Sequence, residues 1–176
     1  MIDTIKLERS RYLDFFHQGI DHLKRDKIQF EIELLIETGG DELQRPFNLL
    51  RVDFIFKDSE NIDRINALQL DSHLDYKAIK KTINNTEIDI NPFCWDNCKI
   101  IADKIDLSKL TLWIEKWIDI DGSRQTDFSN SIHNCSIVQK TNEKDEIIID
   151  FGTAPIDALL DLIDLIKDEN KKIEIK

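Results

Sequence analysis

Residues 28–37 read Ile-Gln-Phe-Glu-Ile-Glu-Leu-Leu-Ile-Glu. Ile28, Phe30, Ile32, Leu34 and Ile36 alternate with Gln29, Glu31, Glu33 and, after an apolar break at Leu35, Glu37. A period of two predicts a half-buried strand with an acidic outer face. On its N-terminal side the period changes. Leu13, Phe16, Ile20 and Leu23 recur at helical spacing and predict an amphipathic helix near 9–26, somewhat weakened by Gly19. On its C-terminal side, Thr38-Gly-Gly-Asp41 and Arg45-Pro46 supply turn chemistry. Leu50, Val52, Phe54 and Phe56 then alternate with Arg51, Asp53 and Lys57. The two strands pair most simply as a long-looped antiparallel hairpin, with Arg51 on the outer face offsetting a glutamate.

Farther on, residues 62–85 fit strand, helix or loop: Ala67–Asp71 reads as a short strand and Tyr76–Ile83 as a helical turn or an irregular crossing. Thr86–Ile90 and Cys98–Ala102 read as strands. Leu107, Leu110, Trp113, Ile114, Trp117 and Ile118 give a second helix, capped by Asp106 or Ser108 and stopped at Asp121-Gly122. Strands near 131–138 and 146–151 make a hairpin about the charged turn Asn142–Asp145. Gly152-Thr-Ala-Pro155 opens a third helix with Thr153 at the N-cap, and Lys172–Ile175 is a last short strand. Without regular strand–helix–strand alternation, the expected class is α+β: an antiparallel or mixed sheet of about six to eight strands with about three helices packed against it.

The chain has 176 residues, 41% of them hydrophobic, with five Gly and three Pro. One domain spanning 1–176 with its own core is expected. Nothing approaches the roughly 20 apolar residues of a membrane span. The opening MIDTIKLERSRYLDFF has acids from the start and no uninterrupted apolar stretch, unlike a signal or transit peptide, and three Cys fit reduced thiols. A cytoplasmic location is expected.

The net charge is −11, from 35 acidic and 24 basic residues. That excludes ordinary phosphate-backbone binding, which needs clustered Lys and Arg. The acidity is uneven: residues 28–75 hold eleven acids against four bases, and 141–176 ten against five. It concentrates on Glu31, Glu33 and Glu37 of the first strand and on Asp157, Asp161, Asp164 and Asp168, spaced i, i+4, i+7, i+11 along one edge of the last helix. Such surfaces steer a basic protein partner, although a charge stripe is more commonly a solvated helix face.

Catalytic and metal signals are sparse. Cys94, Cys98, His133 and Cys135 are zinc-ligand types, but the three-residue Cys spacing is not the common knuckle. A Cys135 nucleophile would have His133 about 7 Å away along a strand, beyond hydrogen-bond reach. Asp119-Ile-Asp121-Gly122 opens like a calcium loop, yet its Gly comes too early and the twelfth-position Glu is missing. Gly152-Thr153 has the place of an anion site but sits among aspartates. No cofactor is implied.

Trp113-Ile-Glu-Lys-Trp117-Ile-Asp-Ile-Asp121, Ser131-Ile-His133 and Asp150-Phe-Gly-Thr-Ala-Pro-Ile-Asp157-Ala-Leu give the chain its resemblance. In size, acidity and layout it resembles the small immunity proteins that accompany bacterial polymorphic and contact-dependent growth-inhibition toxins, more in its C-terminal half. The resemblance implies a stoichiometric inhibitor of a toxin domain. The contact residues expected are Glu31, Glu33, Glu37, Asp119, Asp121 and the four helix-edge aspartates. The alternative is a small enzyme using His133 and Cys135 or paired carboxylates. A homo-oligomer with Trp95 or an exposed apolar face at its contact is a third reading.

Overall fold

The computed structural model describes residues 1–26, 28–38, 48–57, 60–66, 68–70, 72–124, 128–141 and 144–176, with backbone alone over 138–141. The fold is α+β, with three α-helices and two sheets of three and six strands. No described helix is long and apolar enough to cross a membrane.

Helix α1 spans Ile2–Arg25, longer than the apolar period suggests. Its buried stripe is Ile5, Glu8, Tyr12, Phe16, Ile20 and Leu23, so a carboxylate stands where a hydrophobe is expected. Glu8 is tolerated there because one oxygen accepts the Leu74 N–H at 2.8 Å and the other an Arg11 N–H at 2.9 Å. Gly19 lets the helix close on the sheet. A Cβ there would stand 3.1 Å from the Phe54 ring and 3.2 Å from Leu68.

The expected hairpin forms from β1 (Phe30–Glu37) and β2 (Leu49–Lys57), paired antiparallel from Phe30↔Phe56 to Glu37↔Leu49. A third strand, β3 (Asp63–Asn66), pairs with β2 in part of the ambiguous segment. Ala67, Asp71, and the turn residues Gly39–Asp41 and Arg45-Pro46 lie outside the described residues.

The six-stranded sheet adds β4 (Ile79–Ile83), β5 (Thr86–Ile90), β6 (Cys98–Ala102), β7 (Asn134–Thr141), β8 (Lys144–Asp150) and β9 (Lys172–Ile175), in the order β4-β5-β9-β6-β8-β7. Residues 79–83 are therefore strand, not a helical turn. The sheet is mixed because β9 runs parallel to β5 and antiparallel to β6. Helices α2 (Leu107–Ile118) and α3 (Ile156–Ile166) pack together, and Trp113 Nε1 donates to the Ala158 carbonyl at 3.0 Å. Asp106 caps α2 by accepting from the Ser108 and Lys109 N–H groups.

Three local expectations are corrected. Thr153 does not cap α3: the N-cap is Pro155, and the Thr153 hydroxyl is directed at Glu33. The last helix ends at Ile166, so Asp168 lies in a following 3₁₀ turn (Lys167–Glu169) and the aspartate stripe is not one straight edge. Trp95 is fully buried, stacked on Phe151 at 4.6 Å with its N–H on the Gly152 carbonyl, and is no contact surface.

Arg51 is also corrected, from outer face to interior. Its guanidinium donates to the carbonyls of Ile118 (2.8 Å), Glu33 (2.9 Å) and Asp119 (2.6 Å). A cation thus satisfies the carbonyl end of α2, where the helix dipole favours positive charge. Meanwhile the Arg51 N–H bonds the His133 carbonyl at 2.8 Å and ties the small sheet to the entrance of β7.

Candidate functional site

The buried titratable groups converge where α1, the small sheet and the segment before β7 meet. Glu33 lies opposite Asp53, between the pairs Ile32↔Phe54 and Leu34↔Val52. Glu33 has a left-handed backbone (φ 50°), which breaks the strand alternation. Beyond it the pattern inverts: Glu33 is 4% exposed, whereas Leu34 is 39% exposed. Two carboxylates thereby face the interior from neighbouring strands, and unaided they would repel.

His133 stands between them and is 1% exposed. Its Nε2 is 2.8 Å from Glu33 Oε1, and its Nδ1 is 3.2 Å from Asp53 Oδ1 and 3.9 Å from Asp150 Oδ2. The Nδ1 approach is an ion contact off the hydrogen-bond direction. Glu33 also accepts the Thr153 hydroxyl and, on Oε2, the Ser129 N–H at 2.7 Å. Asp53 accepts the Tyr12 hydroxyl and the Leu68 N–H, each at 2.7 Å. Asp150 accepts the Gly152 N–H at 2.9 Å.

Burial opposes charge on His133, but Asp53 and Glu33 outweigh it and push the imidazole up to about 10, so it is an imidazolium. Burial would raise Glu33; the bonds from His133, Thr153 and Ser129 hold it below the ordinary carboxylate range. Asp150 is pushed up to about 7, by burial first, against the pull of His133. Burial, reinforced by Asp150 and Asp53, keeps the Tyr12 hydroxyl protonated as a donor. The centre holds three acids, Glu33, Asp53 and Asp150, around one imidazolium, with the Arg51 guanidinium as neighbour. Perturbed groups of this kind mark active sites and structural ion networks alike. Among the described residues the partners of His133 come from within the fold, and their bonds fasten one element to another.

Compared with known proteins, the chain matches no protein-family model, no curated protein and no solved structure.

The sulfur ligands do not join His133. Cys98 and Cys135 both pair with Ile149, from opposite sides of β8, which puts their backbones roughly 9–10 Å apart. Among the described residues no group of three or more His, Cys, Asp or Glu could hold a metal ion. Burial pushes the Cys98 thiol well up and Cys135 up to about 12, far from the thiolate that a nucleophile requires. In a thiol titration with Ellman's reagent, Cys98 and Cys135 are expected to stay unreactive until denaturant is added. Rapid modification of either in the folded protein would contradict this packing.

The expected contact carboxylates divide. Glu33 is interior, and so is Asp119, which has a left-handed backbone at the end of α2 and accepts from the Ser123 hydroxyl at 2.8 Å and from the Ser123 and Arg124 N–H groups at 3.0 Å. Both leave the surface set. Glu31, Glu37, Asp121, Asp157, Asp164 and Asp168 are exposed, and Asp161 is half-buried. Asp161 pairs with Lys116 of α2, and Asp164 with Lys167 at 2.7 Å. The α3 edge is thus partly neutralised by its neighbours.

Sequence reasoning missed a groove between α1 and β1, of about 510 Å³. Ile20, Phe30, Ile32 and Phe128 supply its apolar lining; Asp21, Lys24, His17 and Glu31 supply the polar part. Phe128 is held edge-on to Phe16 and His17. A half-exposed Phe30 and Ile32 on a strand read simply as core positions, so no residue pattern announces this groove.

Proposed function

We propose that this chain is an acidic binding domain that neutralises a basic protein partner by stoichiometric capture, in the manner of the bacterial immunity proteins it resembles. The observation that carries the reading is the division of the carboxylates. Glu33 and Asp53 are committed to His133 inside the fold. By contrast, Asp21, Glu31, Asp121 and Asp157 face solvent and take part in no ion pair among the described residues. On a chain of net charge −11 these groups steer a cationic protein toward the surface and repel acidic competitors. The enzyme alternative draws less support. It would need His133 to meet a substrate, and both ring nitrogens are turned to buried carboxylates.

Co-expression with the product of the neighbouring coding sequence tests the reading. The expected result is a one-to-one complex on size-exclusion chromatography with light scattering, together with loss of that product's toxicity. Toxicity unchanged by this chain, with no complex formed, would sink it.

A further inference from the structure

The groove beside α1 lies against a sheet edge. In the small sheet the order is β1-β2-β3, so among the described residues β1 has a strand partner on one side only. Its N-terminal part, Phe30-Glu31-Ile32, forms one wall of the groove; the opposite wall is the last turns of α1. An edge strand presents backbone N–H and C=O groups to any extended chain that approaches it. The volume of about 510 Å³ lies within the range of ligand pockets and accommodates one or two large side chains. Such a chain would leave alternate side chains directed into the groove.

Charge selects the occupant. Among the described residues, Asp21 and Glu31 line the groove against Lys24 alone, and none of the three is engaged in an ion pair there. The α3 edge differs, since Lys116 and Lys167 already occupy two of its aspartates. A second copy of this chain would bring its own Glu31 to the same edge, and like charges facing across paired strands are destabilising. The left-handed backbone of Glu33 ends the regular part of the strand, so only a short segment can be added in register.

We infer that the groove between α1 and the β1 edge takes a short extended segment of a basic protein partner, which adds as a strand along Phe30–Ile32, inserts an apolar side chain among Ile20, Phe30, Ile32 and Phe128, and directs Lys or Arg side chains to Asp21 and Glu31. This rests on the binding reading above and gives it a surface.

The probe is a fluorescein-labelled peptide of alternating lysine and valine, titrated by fluorescence anisotropy. A second peptide has the same sequence with N-methylated backbone amides that cannot join a strand. Two double variants make the same change in charge, D21K/E31K at the groove and D157K/D168K at the far carboxylates. All four positions are exposed, where substitutions seldom disturb folding. Saturable binding is expected, weakened about tenfold or more by D21K/E31K and by N-methylation, and no more than about threefold by D157K/D168K. Equal losses in the two variants, undiminished binding of the methylated peptide, or no binding at all would each overturn the inference. The neighbouring gene product separates the two levels. A complex that survives D21K/E31K intact removes the groove and leaves the binding reading standing; absence of any complex with the unaltered chain removes the reading itself.

Discussion

Replacing His133 by leucine is expected to lower the free energy of unfolding by roughly 3–5 kcal/mol, the range for breaking a buried ion pair by removing one partner. The cost comes less from lost attraction than from what remains. Glu33 and Asp53 would face one another across adjacent strands with no cation between them, in a space closed to water. Denaturant unfolding measures the change, and the double-charge-neutral background E33Q/D53N decides its cause. There the same His133→Leu replacement is expected to cost much less, because no uncompensated carboxylate is left behind. An equal cost in both backgrounds would make His133 a packing residue and nothing more.

The same ring predicts a pH profile. His133 titrates near 10 in the fold against an ordinary 6.5. A proton held more tightly in the folded state stabilises it, fully so below pH 6.5, and the contribution is lost as pH rises toward 10. Asp150, also raised, contributes below its ordinary 3.8 and loses that contribution as pH rises through about 7. Glu33 acts in the opposite sense: its lowered value gives stability above about 4.5 that is lost in acid. Stability is therefore expected to be greatest in mildly acidic solution and to fall between pH 6.5 and 10. Urea midpoints across that interval check it, with H133Q flattening the alkaline fall. A midpoint that is constant from pH 6.5 to 10 in the unaltered protein would contradict the charged-histidine assignment.

How far this centre is legible from residues alone depends on what periodicity can register. The helical spacing of Leu107–Ile118 and the Lys172–Ile175 strand correspond to real elements because each buries one apolar face, and the period of 28–37 marks a real strand whose phase holds as far as Ile32. Glu8 hid seven residues of α1, since a carboxylate in a core stripe looks like a break in it. Glu33 hid the site itself. Alternation assigns it to the outer face with Glu31, and the one local sign of trouble is the Leu34-Leu35 doublet, where the phase of the strand slips. Nothing in the spacing joins Glu33 to Asp53, His133 and Thr153, which lie 20, 100 and 120 residues away along the chain; only the packing of three elements brings them together. An acidic surface drawn from composition is too broad for the same reason. Composition counts carboxylates but does not distinguish Asp119, used inside a turn, from Asp157 in solvent.

Gly152→Ala is expected to be the other severe lesion, at roughly 3–4 kcal/mol, combining left-handed backbone strain with steric displacement of a buried ring. Gly152 has φ 48°, and a Cβ built there would stand 2.1 Å from His133 Cδ2 and 2.4 Å from Nε2. The ring cannot step aside cheaply. Nε2 is bound to Glu33, the Asp53 carboxylate lies against Nδ1, and Tyr12 and Phe16 close the remaining sides at ring separations of 6.4 and 6.3 Å. Gly122 offers the comparison, with a similar φ of 63°; Gly122→Ala is expected to cost about 1 kcal/mol from the backbone contribution. The decisive measurement is a cycle with His133→Ala. Once the imidazole is gone, the new methyl group has room, and Gly152→Ala should fall to nearly the Gly122 value in that background. The two substitutions would then be strongly non-additive, as contacting residues are. Additive costs would mean that the strain at residue 152 is its own, and that the close approach of backbone to ring does not hold the imidazolium between its carboxylates.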